Sequence, residues 1–274
     1  MQGRDAFRKQ GIALAVTGMH GSADALQAVL NGGADIATGV DPTMALRAFG
    51  KGALLRILLP SFTGASDLYW YVKTDSAITN FAGASAENTI AYSTIGSPTH
   101  LVVTELAREL KIKAKPATTG SPAATLVDVM SGRADIGWGR WPFGLKEIAE
   151  EKIRVIAQGA DIASFKARTM RVIVVRAETL QTKKDALARF ARGYRDAVDW
   201  LYSEPRAIKA YAEAVHLPAD AVETLIRRSF PKSAMQSETV SGLEETMREA
   251  VKHKNLDAPL TKEQIAALLA VPPK

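Results

Sequence analysis

The stretch NGGADIATG, residues 31–39, is written again one hundred residues on as SGRADIGWG, residues 131–139. Leu26 and Leu126, Val29 and Val129, Gly32 and Gly132, Ala34-Asp35-Ile36 and Ala134-Asp135-Ile136, and Gly39 and Gly139 coincide. That is seven identities in the fourteen positions 26–39. Leu26, Val29 and Leu30 share one helical face. Gly32 suits a helix end because it tolerates positive φ. Each copy reads as a helix packed on a sheet, a glycine corner, and a strand opening Ala-Asp-Ile. Asp35 and Asp135 stand early in their strands and read as structural. A chain that builds this corner twice is expected to hold two α/β units of similar construction.

The rest of the chain alternates accordingly. IALAV (12–16), ADIATG (34–39), LLRILLPSF (54–62) and DLYWYVKTD (67–75) read as strands, with helices at 22–31 and 41–50 between the first three. SAITNFAGASAEN (76–88) reads as a connector, after which the alternation restarts. TIAYST, IKAKPATTG, ADIGWG, IRVIAQG (153–159) and MRVIVVRAET (170–179) are predicted strands. The helices among them are GSPTHLVVTELAREL, GSPAATLVDVMSG and LKEIAEEK. Beyond residue 182 the pattern is helical almost throughout. Strands separated by helices imply mainly parallel sheets covered by helices. The length of 274 residues allows two such units.

The chain carries a net charge of +6. Its lysines and arginines are scattered without a basic run, so nucleic acid is not expected as a partner. It has no cysteine, which excludes disulfides and thiol chemistry. The four histidines are far apart in the sequence and show no metal-ligand spacing. No metal or cofactor is expected. No apolar run is long enough to span a bilayer, and MQGRDAFRKQG lacks the apolar core of a signal peptide.

Three predicted helices open alike, at Gly21-Ser22, Gly96-Ser97-Pro98 and Gly120-Ser121-Pro122. Such starts cap a helix and also present N–H groups and positive dipole to an anion. Plain capping is the competing account of each. Ligands of open α/β sheets bind beyond the carboxyl ends of the strands. The candidate ligand-binding residues there are Ser22, Thr38, Asp41 and Ser61 in the first unit, with His20 beside them. In the second they are Thr94, Ser97, Thr99, Trp138, Arg140 and Trp141. GWGRWPFG (137–144) is the most distinctive stretch. Arg140 offers a planar fork to an oxyanion and the tryptophans offer faces for stacking. A packed loop anchored by Trp141 is the alternative. No dinucleotide, P-loop, nucleophile-elbow or zinc-protease motif is present, so no catalytic residue is assigned.

Several stretches resemble the substrate-binding proteins of ABC importers in the nitrate, taurine and aliphatic-sulfonate group. They are FRKQGIALAV, LNGGADIATG, YWYVKTDSAITNFAG, GSPTHLVVTELARELKI, DVMSGRADIGWGRWPF and DWLYSEPRAIKAYAEAVHLP. The resemblance implies a two-lobed, type II periplasmic-binding-protein fold: lobe 1 in residues 1–84, lobe 2 in 85–165, and a return to lobe 1 with C-terminal helices in 166–274. It implies that the first strand of lobe 1 is missing from this chain. It further implies a non-enzymatic, periplasmic, monomeric solute-binding component that hands a small anionic or heteroaromatic ligand to a membrane permease. An enzyme on the same fold, of thiamine-pyrimidine or menaquinone-pathway type, and the sensing domain of a regulator are the alternatives.

Overall fold

The computed structural model describes residues 3–19, 21–95, 97–236 and 238–269. The chain divides into two compact units, one made of Met1–Thr63 with Arg168–Lys274 and the other of Gly64–Ala167.

The first unit opens with α1 (Gly3–Lys9), α2 (Ser22–Leu30), β1 (Ile36–Val40), α3 (Pro42–Gly50) and β2 (Leu55–Thr63). The second contains β3 (Leu68–Lys73), β4 (Thr89–Tyr92), α4 (Pro98–Glu109), β5 (Lys115–Thr118), α5 (Pro122–Met130), β6 (Gly137–Arg140), α6 (Leu145–Ala149), β7 (Ile153–Gln158) and α7 (Ala163–Lys166). The chain then returns to the first unit with β8 (Thr169–Arg176), α8 (Ala177–Thr182), α9 (Lys184–Ser203), α10 (Pro205–Val215), α11 (Ala219–Ser229), α12 (Lys232–Met235), α13 (Leu243–Lys252) and α14 (Lys262–Leu268).

The first unit's sheet has the order β1-β8-β2. β8 is apolar on both faces because helices cover both. Val172 and Val174 join Leu26, Leu46, Met247 and Leu268 in one core layer, whereas Ile173 and Val175 join Phe7, Leu187 and Phe190 in the other. A strand covered on both sides needs a continuous apolar run, and residues 172–175, VIVV, supply it. α1 lies along α9, where the Phe7 and Phe190 rings meet in a tilted pair with centroids 5.3 Å apart. Gly193 makes the approach possible, since a Cβ there would stand 2.8 Å from the Phe7 ring.

In the second unit β3 pairs with β6 and β7, β4 pairs with β5, and a parallel bridge from Ile90 to Ile136 links β4 to the start of β6. β4 and β5 are parallel, as expected. β3 and β8 depart from that expectation, because each runs antiparallel to both of its neighbours. β4–β7 therefore share one direction, with β3 reversed among them.

Two sequence expectations need correction. Residues 12–16 form no strand. They are irregular, and Val16 is 64% exposed. A strand exists only through a ladder, and no described strand pairs with this stretch. The division between units also falls at 63/64 rather than after residue 84, because β3 finds its hydrogen-bonding partners in β6 and β7. The second division falls at 167/168.

Candidate functional site

In the first unit the candidates gather at the carboxyl ends of β1 and β2. Thr38 is exposed on β1. Ser22 is the first residue of α2, and its Oγ donates to the Gly39 carbonyl at 3.0 Å. Asp41 is only 3% exposed and caps α3, its Oδ1 accepting from the N–H groups of Thr43 at 2.7 Å and Met44 at 3.3 Å. Burial raises its carboxyl above the ordinary carboxylate range. The Arg171 guanidinium and those hydrogen bonds oppose the shift without cancelling it. Ser61 is buried on β2, and its Oγ makes no hydrogen bond among the described residues.

Arg171 was not foreseen. It is buried on β8 opposite Phe62, between the strand leading into Asp41 and the strand carrying Ser61, and its Nη1 donates to Met170 O at 2.7 Å. The signal was there to be read: an arginine standing inside an otherwise continuous apolar strand.

In the second unit Ser97 is the N-cap of α4, accepting from His100 N at 3.2 Å. Its hydroxyl also meets those of Ser93, at 2.8 Å, and Thr99, at 2.9 Å. Thr99 Oγ1 accepts from Ser93 N at 2.8 Å. The Ser97 and Thr99 side chains are buried and Ser93 is half-buried; the three hydroxyls are bonded to one another, so they shape the turn ahead of α4. Thr94 beyond β4 and Arg140 at the end of β6 are exposed. The bridge at Ile90 and Ile136 makes β4 and β6 parallel neighbours, which brings these two residues to the same end of the sheet. Trp138 is buried, and its Nε1 donates to Thr119 Oγ1 at 3.2 Å, which lies 2.6 Å from Thr125 Oγ1 near the start of α5. Trp141 is 8% exposed and stacks on Tyr69 at 4.0 Å, which is the anchoring arrangement.

Tyr69 and Tyr71 explain the glycines of GWGRWPFG. A Cβ on Gly139 would stand 2.3 Å from the Tyr69 ring, and one on Gly137 would stand 2.5 Å from the Tyr71 ring. Burial pushes both phenols up, so they stay neutral. His20 and Gly96, also singled out from the sequence, lie outside the described residues.

The arrangement suits recognition. α4 and α5 both begin with a Ser cap and a first-turn Pro, at the carboxyl ends of β4 and β5, and direct partial positive charge outward there. Among the described residues no His/Cys/Asp/Glu group could hold a metal ion. No described helix is long and apolar enough to cross a membrane.

A family model described as NMT1/THI5 like matches residues 2–208. Among solved structures, the periplasmic aliphatic sulphonate binding protein SsuA of Escherichia coli is similar, with a TM-score of 0.73 at 17% identity over 93% of this chain and 82% of that one. The alkanesulfonate-binding protein SsuA of Xanthomonas axonopodis pv. citri, bound to MOPS, gives 0.74 at 15% identity over 98% and 92%. The ligand-binding component of an ABC-type import system from Staphylococcus aureus, with zinc bound, gives 0.77 at 15% identity over 98% and 92%. These likenesses establish the shared two-unit α/β fold. No curated protein sequence matches the chain significantly.

Proposed function

Because this chain belongs to the NMT1/THI5-like family, we propose that it is the solute-binding component of an ABC-type importer. It works without catalysis, as a monomer in the periplasm, and delivers its ligand to a membrane permease. The ligand is a small anionic or heteroaromatic compound, sulfonate-, nitrate- or carboxylate-like. The observation that carries this reading is the pair of capped helix starts at the same end of the second unit's parallel strands as the exposed Arg140. A helix N-terminus contributes about 0.3–1 kcal/mol to an exposed anion. A hydrogen bond from a charged guanidinium contributes about 1.5–3 kcal/mol. Thr94 adds a hydroxyl at the same end of the sheet.

Thermal-shift and calorimetric screening against nitrate, small sulfonates, carboxylates and heteroaromatic acids tests it. A true ligand at a hundred times its Kd stabilises the protein by about 2.7 kcal/mol. Arg140→Ala is expected to weaken binding about tenfold, since about 1.4 kcal/mol corresponds to a factor of ten. Unchanged affinity in that variant removes the site from this end of the second unit. Chemical conversion of a bound compound overturns the reading in favour of an enzyme.

A further inference from the structure

The packing of Trp141 uses the face of its ring and leaves its edge unspent. The ring lies on Tyr69 with centroids 4.0 Å apart and planes 24° apart, and the backbone N–H donates to Asp67 O at 3.0 Å. Tyr69 is itself held in place. Its hydroxyl donates to Phe143 O, and its ring and hydroxyl occupy the space that a Cβ on Gly139 or Gly144 would need. The indole therefore rests on a fixed platform. Its Nε1–H, by contrast, is buried and makes no hydrogen bond among the described residues. The second unit has two other tryptophans, and both spend theirs: Trp70 Nε1 donates to Ala91 O at 3.0 Å, and Trp138 Nε1 to Thr119 Oγ1 at 3.2 Å. A buried donor without an acceptor has given up its hydration for nothing, and such groups are rare in folded proteins.

The position of this donor gives it a use. Trp141 directly follows Arg140 at the carboxyl end of β6, where Arg140 pairs with Leu68 at the start of β3. The exposed Arg140 and Thr94 and the Ser-capped starts of α4 and α5 stand at the same end of the strands. An indole N–H is a donor only, and so is a guanidinium. Two consecutive donor-only side chains are satisfied together by a group that offers several acceptor oxygens and no proton. A neutral ring nitrogen offers one lone pair and no charge to the guanidinium. An ammonium would meet donors with a donor.

We propose, on the basis of the importer function above, that the Trp141 indole N–H is a specificity-determining donor to an oxyanion on the ligand, and that it selects oxyanions over neutral heteroaromatic compounds. Anchoring and recognition are then one arrangement: the stack on Tyr69 holds the ring still, and the stillness aims the N–H. A site built around a buried donor rejects an analogue that lacks the matching acceptor, because the donor is then left unpaired.

The test is NMR of the full chain, isotopically labelled at its indole nitrogens and with the Trp141 signal assigned through its backbone neighbours. The probes are nitrate, ethanesulfonate, benzoate and neutral pyrimidine. At least one oxyanion is expected to move the Trp141 N–H signal downfield, and pyrimidine is not. Trp141→Phe is expected to bind that oxyanion about tenfold more weakly, the effect of losing one hydrogen bond to a charged group. Because the ring also anchors the loop, the signal of the parent protein decides where the variant does not fold. An oxyanion whose binding is weakened by Arg140→Ala, with the Trp141 signal unmoved and Trp141→Phe binding as the parent does, overturns the proposal and leaves the importer function standing. Binding of pyrimidine in preference to every oxyanion does the same. Binding of none of the four overturns both.

Discussion

In the second unit β6 runs between β3 and the bridge to Ile90, and Ile136 at its start is fully buried. In the first unit the corresponding β1 has β8 on one side alone among the described residues, and Ile36 is half-buried. Asp135 fastens its corner to the neighbouring strand, accepting from Thr89 N at 2.8 Å and from Thr89 Oγ1 at 3.0 Å. Asp35, the same residue in the same corner, is paired instead with the exposed Lys183 at 2.8 Å. α5 is led in by β5 and capped by Ser121, whereas α2 is led in by an irregular stretch and has no side-chain cap. The two copies keep one backbone and differ in their neighbours. A helix–glycine–strand corner is therefore specified locally, while the burial of its strand depends on what the rest of the chain sets beside it.

The sharpest way to break this comparison is to truncate the paired isoleucines. Ile136→Ala is expected to cost about 4 kcal/mol, in the range for a fully buried aliphatic side chain, and Ile36→Ala about half of that or less. Urea denaturation of both variants decides, and equal losses would mean that β1 is as enclosed as β6. The next residue gives a smaller contrast. Gly137→Ala places a Cβ 2.5 Å from the Tyr71 ring and 2.7 Å from Val129, so overpacking is expected to cost about 3 kcal/mol. The first unit carries Ala37 at that position, buried within its core, and Ala37→Gly is expected to cost about 1 kcal/mol.

Asp41 sharpens the comparison through pH. Its carboxyl is raised in the folded state, chiefly by burial, so the native protein holds that proton more tightly than the unfolded chain does. The resulting stabilisation is fully present below the ordinary carboxylate range and is lost as pH rises through the folded value. Asp41→Asn keeps a capping oxygen and has no such loss. The stability of the variant relative to the parent is therefore expected to grow as pH is raised from about 4 to 8. A gap that stays constant across the series would show that Arg171 and the capping bonds compensate the burial in full. The smallest effects belong to the hydroxyls of Ser61 in the first unit and Tyr71 in the second, both buried and making no hydrogen bond among the described residues. Ser61→Ala and Tyr71→Phe are each expected to change stability by less than about 1 kcal/mol, because no made hydrogen bond is removed. Should Ser61→Ala weaken ligand binding while leaving stability alone, its hydroxyl belongs to the site.

Much of this could be read before any coordinates. The two corners, the Ser-Pro helix starts at Ser97 and Ser121, and the run of β8 all follow from turn chemistry and periodicity, which act over a few residues. What escaped depends on register between distant segments. That Tyr69 and Tyr71 lie over Gly139 and Gly137 follows only from the β3–β6 ladder, which no local pattern announces. The antiparallel direction of β3 and β8 is hidden for the same reason. IALAV has the composition of a strand, yet composition cannot supply the neighbour that a strand requires. Trp141 carried two readings because the sequence does not say what lies beneath an indole, and the structure puts Tyr69 there.

The order β1-β8-β2 also bears on how the molecule is made. β1 and β2 leave the ribosome early and have no ladder with each other, because the strand that joins them comes more than a hundred residues later. The second unit is contiguous from Gly64 to Ala167, so its chain is finished while the first is still waiting. During synthesis two apolar strands stay open until β8 arrives to close them both, and long-range closures of this kind are the slow and aggregation-prone steps of folding. The nascent chain is therefore most in need of chaperone protection in the interval between completing its inserted unit and delivering its central strand.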